Sequence, residues 1–193
     1  MSAVLLFPGA GTDASHPSLV AIERALAPTP CVRADFPYRE HGRRAPDRPP
    51  VLMAAVRSQL DDLIGQHGGP VVMGGRSMGG RMCSMVAGGA DGSPPPANDV
   101  ELAGLVLICY PLHPPGKPDR LRVEHLPAIT VPCLFVSGTR DPFGTPEELE
   151  HWTATIPGDV HHVWIDGGRH DLKGADGTIA DAVATFCKSV LSA

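Results

Sequence analysis

Six short apolar runs constrain this chain more than any other feature of it: residues 4–7, 31–34, 70–73, 102–109, 133–137 and 160–165. Each is rich in aliphatic side chains, lacks strict alternation, and is bounded by glycine or proline, as strands buried on both faces are. Between them lie helical patterns. Leu52, Ala55, Val56, Leu60, Leu63 and Ile64 mark one face of a helix, and Ile179, Val183, Phe186 and Val190 mark another. Thr145-Pro146-Glu147-Glu148 supplies an N-cap, a proline at the first helical position and a reciprocal glutamate three residues after the threonine. Strand and helix alternate throughout, which predicts an α/β fold: a doubly wound, mostly parallel six-stranded sheet with helices on both faces.

Three segments follow neither period: 36–50, 91–99 and 110–130. In such a sheet a segment that follows a strand lies at the carboxyl edge, where ligands bind, so 36–50 and 110–130 are expected to wall a site. Segment 91–99 follows a helix and is expected at the opposite edge, as a loop without chemistry. The 193 residues suit one domain over 1–193. The 22 glycines and 21 prolines are scattered between apolar runs and read as turns, not as a low-complexity tract.

Composition narrows the partners. A net charge of −5 gives no electrostatic reason to expect nucleic acid or an anionic membrane. No run approaches the ~20 apolar residues that span a bilayer, and no basic stretch precedes the short apolar start, so export by a signal peptide is not expected. Five cysteines, an odd number without Cys-x-x-Cys spacing, read as reduced thiols in the cytoplasm. A homo-oligomer is compatible with this composition.

The chemistry starts at Gly75-Arg76-Ser77-Met78-Gly79. A strand ends just before it and a small-residue helix follows at once, the strand-turn-helix that a nucleophile elbow needs. A side chain at Gly75 or Gly79 would collide with neighbouring elements, while Ser77 is held out at the sheet edge. A phosphate-binding turn fits less well, because neither Gly-Lys-Ser/Thr nor Gly-x-Gly-x-x-Gly is present here. A serine needs a base to take its proton and a carboxylate to orient that base. Asp141 follows the fifth strand and His170 the sixth, both at the carboxyl edge and in the chain order Ser, Asp, His. His161 and His162 fall inside a strand, Asp166 and Asp171 share the loop of His170, and Glu147 sits in a helix's first turn, so each is the weaker alternative.

An oxyanion formed by attack of Ser77 needs donors. The backbone N–H of Met78 is one, and the loop Pro8-Gly9-Ala10-Gly11-Thr12 offers the other from Ala10, with Gly11 as the alternative. Glycines 9, 11, 75, 79, 138 and 167 are expected to shape the site.

These residues resemble the α/β-hydrolase superfamily in its compact dienelactone-hydrolase-like branch. The Gly-Ala-Gly loop, Gly75–Arg81, Gly138-x-x-Asp141 and Gly167-x-x-His170 fall in the superfamily's order over nearly the whole length. Tyr110-Pro111-Leu112-His113-Pro114-Pro115-Gly116-Lys117-Pro118, with Leu121-Arg122 and His125-Leu126, is similar to the KANSL/Tex-type family of small hydrolase-fold proteins. The resemblance implies a catalytic Ser77, Asp141 and His170. Dienelactone hydrolase itself uses cysteine where this chain has Ser77, so a dienelactone substrate is not implied. The chain begins where the superfamily's third strand would fall, and the segment after the fourth strand is too short for an inserted lid, which implies an open site.

His113 and Lys117, or Arg39, Arg43, Arg44 and Arg48, would meet an anionic substrate group, and Arg76 is a further candidate for substrate contact; solvated loops also carry such residues routinely. No His-x-x-x-His or Cys-His clustering appears at the predicted edge, so no metal is expected, and no cofactor. The expected function is a serine hydrolase that cleaves a carboxylic ester or thioester of a small molecule through an acyl-enzyme. The alternative is a non-catalytic hydrolase-fold module that binds a protein partner.

Overall fold

The computed structural model describes residues 1–96 and 101–191; positions 97–99 of the 91–99 loop therefore lie outside the described residues. Among the described residues six strands and six α-helices follow one another, with two helices in succession between β2 and β3 and no α-helix between β4 and β5: β1 Ala3–Phe7, α1 Pro17–Leu26, β2 Cys31–Arg33, α2 Pro37–Glu40, α3 Pro49–His67, β3 Val71–Arg76, α4 Met78–Ala87, β4 Leu102–Ile108, β5 Cys133–Gly138, α5 Pro146–Thr153, β6 Val160–Ile165 and α6 Asp176–Leu191. The sheet order is β2-β1-β3-β4-β5-β6 and every strand pair is parallel. The sheet is thus wholly, not mostly, parallel.

Both faces are covered. Leu5, Phe7, Met73, Leu105, Leu107 and Phe135 pack toward α3, α4 and α5. Val4, Leu6, Val72, Val106, Ile108 and Val136 pack toward α1 and α6. Alternate residues of one strand therefore serve opposite layers, which is why the strands read as unbroken apolar runs. Among the described residues no helix is long and apolar enough to cross a membrane.

Chain direction reverses across the sheet between β1 and β3: β2 lies to one side of β1, and all later strands extend to the other. The crevice outside the carboxyl ends of β1 and β3 is the topological switch point, where sheets of this kind bind ligands. The capping box at Thr145 is present in both halves, with Glu148 N–H donating to Thr145 Oγ1 and Thr145 N–H to Glu148 Oε2.

Two differences from the sequence reading matter for the site. Strand β3 runs on to Arg76 and does not stop at Met73. The glycines that read as a turn are strand residues, because a Cβ on Gly74 would lie 2.0 Å from Val106 O and one on Gly75 2.2 Å from Phe7 O. The segment 36–50 also contains the short helix α2, opened by Pro37. Asp91, by contrast, is held at the flank of α3, where Arg57 Nη2 donates to its Oδ2 at 2.9 Å.

Candidate active site

Ser77 stands between β3 and α4 with φ 49° and ψ −113°, a backbone conformation that a side-chain-bearing residue rarely adopts. Its N–H donates to Ile108 O at 2.7 Å, which ties the turn to the end of β4. The turn is tight because glycines flank it: the Cβ positions of Gly75 and Gly79 both face Phe7 O, at 2.2 and 2.5 Å. Any side chain there would push β1 away from the elbow.

Ser77 Oγ lies 2.9 Å from His170 Nε2, and His170 Nδ1 lies 2.8 Å from Asp141 Oδ2. Phe143 N–H donates to the other carboxylate oxygen, Oδ1, at 2.9 Å. The carboxylate is an acceptor, so it draws the imidazole proton to Nδ1 and leaves Nε2 to accept from the serine hydroxyl. Asp141 is buried, whereas the His170 side chain keeps 24% of its exposure, enough to meet a substrate. The Phe143 ring stacks on the imidazole with centroids 4.0 Å apart.

The three residues come from three loops, after β3, β5 and β6. Gly138 lets the last two approach: its Cβ would sit 2.2 Å from Gly168 O. The weaker alternatives lie elsewhere. Asp166 accepts from Thr139 Oγ1 at 3.4 Å, Asp171 accepts from Lys173 N–H at 3.4 Å, and both are exposed, as is Glu147. His162 shares a 2.9 Å hydrogen bond with Thr153 Oγ1, and His161 is exposed on the edge strand.

Ser77 and Met78 open into a cleft of about 360 Å³ that Ala10, Leu52, Arg81 and Arg122 also line. Met78 is the first residue of α4, so its N–H has no carbonyl a turn earlier in the helix to bond. Tyr38 Oη donates to Ala10 O at 2.9 Å and Thr12 N–H to Gly9 O at 3.2 Å. These bonds, rather than glycine freedom, shape the loop: a Cβ at Gly9 meets only ordinary contacts, and one at Gly11 meets nothing. Gly11 is exposed, one residue beyond the cleft wall.

The residues expected to contact substrate are not brought to the cleft. Arg76 is 6% exposed, and its Nη2 donates to the main-chain carbonyl of His170 at 2.7 Å. As the last residue of β3 it props the histidine loop instead of reaching solvent. His113 is buried between Pro114 O, 2.9 Å from Nδ1, and Glu148 Oε2, 3.4 Å from Nε2. It links the segment after β4 to α5. Lys117 is exposed in a turn closed by its N–H donating to Pro114 O. Arg39 pairs with Asp13 and Arg43 with Asp47, while Arg44 and Arg48 are solvent-exposed.

The side chains that sequence reasoning missed are Arg81, Arg122, Phe143 and Cys109. Cys109 is the one that corrects an expectation: it ends the run of β4, between the strands that carry Ser77 and Asp141, so a cysteine does cluster with the histidine at this edge. Ligand atoms of Cys109, Asp141 and His170 lie within 4.8 Å of one another. Burial pushes the Cys109 thiol up to about 12, which keeps it protonated, while Asp141 and His170 are already committed to each other.

The fold and this site define an α/β-hydrolase. Over residues 1–189 the chain matches the family described as the alpha/beta hydrolase domain, and it belongs to that family. Solved structures agree on the fold. Est1E from Butyrivibrio proteoclasticus, with ferulic acid bound, is 14% identical; the match covers 100% of this chain and 90% of that one, with a TM-score of 0.79. A dienelactone hydrolase from Anabaena variabilis is 19% identical over 98% of this chain and 87% of its own, with a TM-score of 0.77. An alpha-beta serine hydrolase homologue from Coxiella burnetii is 16% identical over 96% and 84%, with a TM-score of 0.73.

Proposed function

We propose that the protein is a serine hydrolase that cleaves a carboxylic ester or thioester through an acyl-enzyme. The observation that carries this reading is the unbroken hydrogen-bonded line from Ser77 Oγ through the imidazole of His170 to the buried carboxylate of Asp141. Ser77 Oγ attacks the carbonyl carbon as its proton passes to His170 Nε2. The negative charge on the former carbonyl oxygen is received by the N–H groups of Met78 and Ala10. The tetrahedral intermediate collapses, the carbon–oxygen or carbon–sulfur bond breaks, and His170 gives its proton to the leaving group. A water molecule then attacks the acyl carbon with His170 as base, and Ser77 leaves as the free hydroxyl. Asp141 stays ionised, holding the imidazole tautomer and facing the imidazolium that forms twice per turnover.

Within its family we read the chain as akin to the KANSL/Tex-type proteins, on residues 110–118, 121–122 and 125–126, and its substrate as a small molecule. A fluorophosphonate probe tests the reading. Wild type labels and Ser77→Ala does not; equal labelling of the two, or none of either, overturns it. Loss of Ser77 or His170 is expected to cost about 10⁶-fold in turnover, with the double variant little worse than either single one.

A further inference from the structure

The cleft beside Ser77 holds two arginines that the proposed mechanism does not use. Arg81 lies one helical turn beyond Ser77, and its N–H donates to Ser77 O at 3.0 Å, so both residues share a face of α4. Arg122 reaches in from the segment after β4 and is clamped at both ends: its Nη1 donates to Pro111 O at 3.2 Å, and its own carbonyl accepts from Tyr110 Oη at 2.6 Å.

Neither guanidinium has a carboxylate partner. Arg33, Arg39, Arg43 and Arg57 each pair with an acidic side chain, whereas among the described residues Arg81 and Arg122 make no ion pair. Arg81 Nε is buried with no hydrogen-bond partner at all. Asp47, the one acidic side chain in the cleft wall among the described residues, is engaged by both terminal nitrogens of Arg43. Glu124, close by in sequence, is exposed and pairs with neither arginine. Burial and then the charge of Arg81 hold the Arg122 guanidinium below its ordinary value, and the same positive charge adds to the burial that lowers His125.

Two half-buried cations at close quarters repel each other, and one of them keeps a buried donor without a hydrogen bond. An oxyanion bound in the cleft offsets the repulsion, since the guanidinium fork matches carboxylate and phosphate oxygens. Leu52, Met78 and Phe143 give the same cleft an apolar wall for the spacer between that charge and the reacting carbonyl.

We propose that Arg81 and Arg122 form an oxyanion subsite, and that the esters turned over at Ser77 carry a carboxylate or phosphate group. The proposal rests on the hydrolase reading above. Four residues of helix advance about 6 Å, so the spacer is short.

The test compares matched esters. 4-Nitrophenyl hydrogen glutarate against 4-nitrophenyl pentanoate places the charge on the acyl side, and 4-acetoxybenzoate against its methyl ester places it on the leaving group. In wild type at least one anionic ester is expected to exceed its neutral partner in kcat/KM by about 10- to 100-fold, the size of a charge-assisted contact. In Arg81→Gln and in Arg122→Gln that ratio is expected to fall toward one. Competition by free glutarate against inorganic phosphate distinguishes the two oxyanions.

Ratios near one in both wild-type pairs, with the neutral esters turned over, overturn the subsite and leave the hydrolase standing. A ratio that neither substitution changes does the same. If no ester is turned over and the probe does not label, the hydrolase reading falls, and calorimetric titration of glutarate and phosphate decides the subsite alone. Binding to wild type that is lost in Arg122→Gln upholds it, and no binding to wild type overturns it.

Discussion

Arg76 Nη2 donates a 2.7 Å hydrogen bond to the main-chain carbonyl of His170, joining the strand that leads into the elbow to the loop that carries the histidine. The imidazole is therefore positioned twice, at Nδ1 by Asp141 and at its backbone by Arg76. The second Arg76 nitrogen, Nη1, is buried without a partner. Arg76→Met removes the buried charge and keeps much of the volume, so the fold is expected to survive while the histidine loop loosens. A misplacement near 1 Å costs about 100-fold, so kcat should fall by roughly 10- to 100-fold with KM much less affected. Steady-state kinetics beside a thermal melt check this; an equal loss in stability and no change in kcat would show that Arg76 serves packing alone.

Phe143 has two parts in the site, its N–H on Asp141 Oδ1 and its ring on His170. Phe143→Ala keeps the first and removes the second. A stack of this kind contributes about 1 kcal/mol, more when the imidazole is charged, so kcat/KM is expected to drop about 5- to 10-fold. Phe143→Leu, which fills space without a π face, should restore stability but not rate.

The glycines fall into two groups that a melt distinguishes. Gly75→Ala and Gly138→Ala each place a methyl 2.2 Å from a main-chain oxygen, a contact that only backbone movement relieves. Each is expected to destabilise by about 3 kcal/mol and to lower Tm by roughly 10 °C. Gly65→Ala, in the interior of α3 with open space around its Cβ, should instead stabilise by about 0.5–1 kcal/mol.

Acid should destabilise the protein through His125. Burial, and after it the charge of Arg81, push this imidazole down to about 4, while its ring shares a 2.8 Å hydrogen bond with Ser84. Above pH 6.5 neither the folded nor the unfolded state is charged there, and nothing is lost. As pH falls from 6.5 toward 4 the unfolded chain binds a proton that the fold refuses, so stability declines by about 3 kcal/mol and levels off below. His16 and His162, also lowered by burial, act in the same sense. Urea unfolding at pH 7, 5.5 and 4 should show a shallower decline in His125→Gln than in wild type; equal slopes would remove His125 from the account.

Much of the scaffold is legible in the residues themselves. Unbroken apolar runs mark strands covered on both faces, the pattern at Thr145 marks a helix start, and the chain order of Ser77, Asp141 and His170 places them at one sheet edge before any coordinate is known. Local conflicts blur the rest. Glycines 74 and 75 read as a turn because glycine's close approach to a neighbouring strand leaves no trace in its own sequence. Helix α1, with Leu19, Ile22 and Leu26 on its buried face, is capped by the side chain of His16, not one of the usual capping residues, which leaves Pro17 at its first position as a start signal without a recognisable cap.

What the sequence alone determined was therefore the sheet, its direction, and the three groups that meet at its edge, because period and chain order are properties of neighbours along the chain. Only the tertiary structure decided what each arginine does. Arg76 turns inward to a carbonyl 94 residues away, Arg43 is spent on Asp47, and Arg81 and Arg122 line the cleft beside Ser77 with no carboxylate partner among the described residues. A long cationic side chain looks the same in sequence whether it is solvated, paired or waiting for an anion, and its role is set by which carboxylate or carbonyl the fold brings within hydrogen-bond reach.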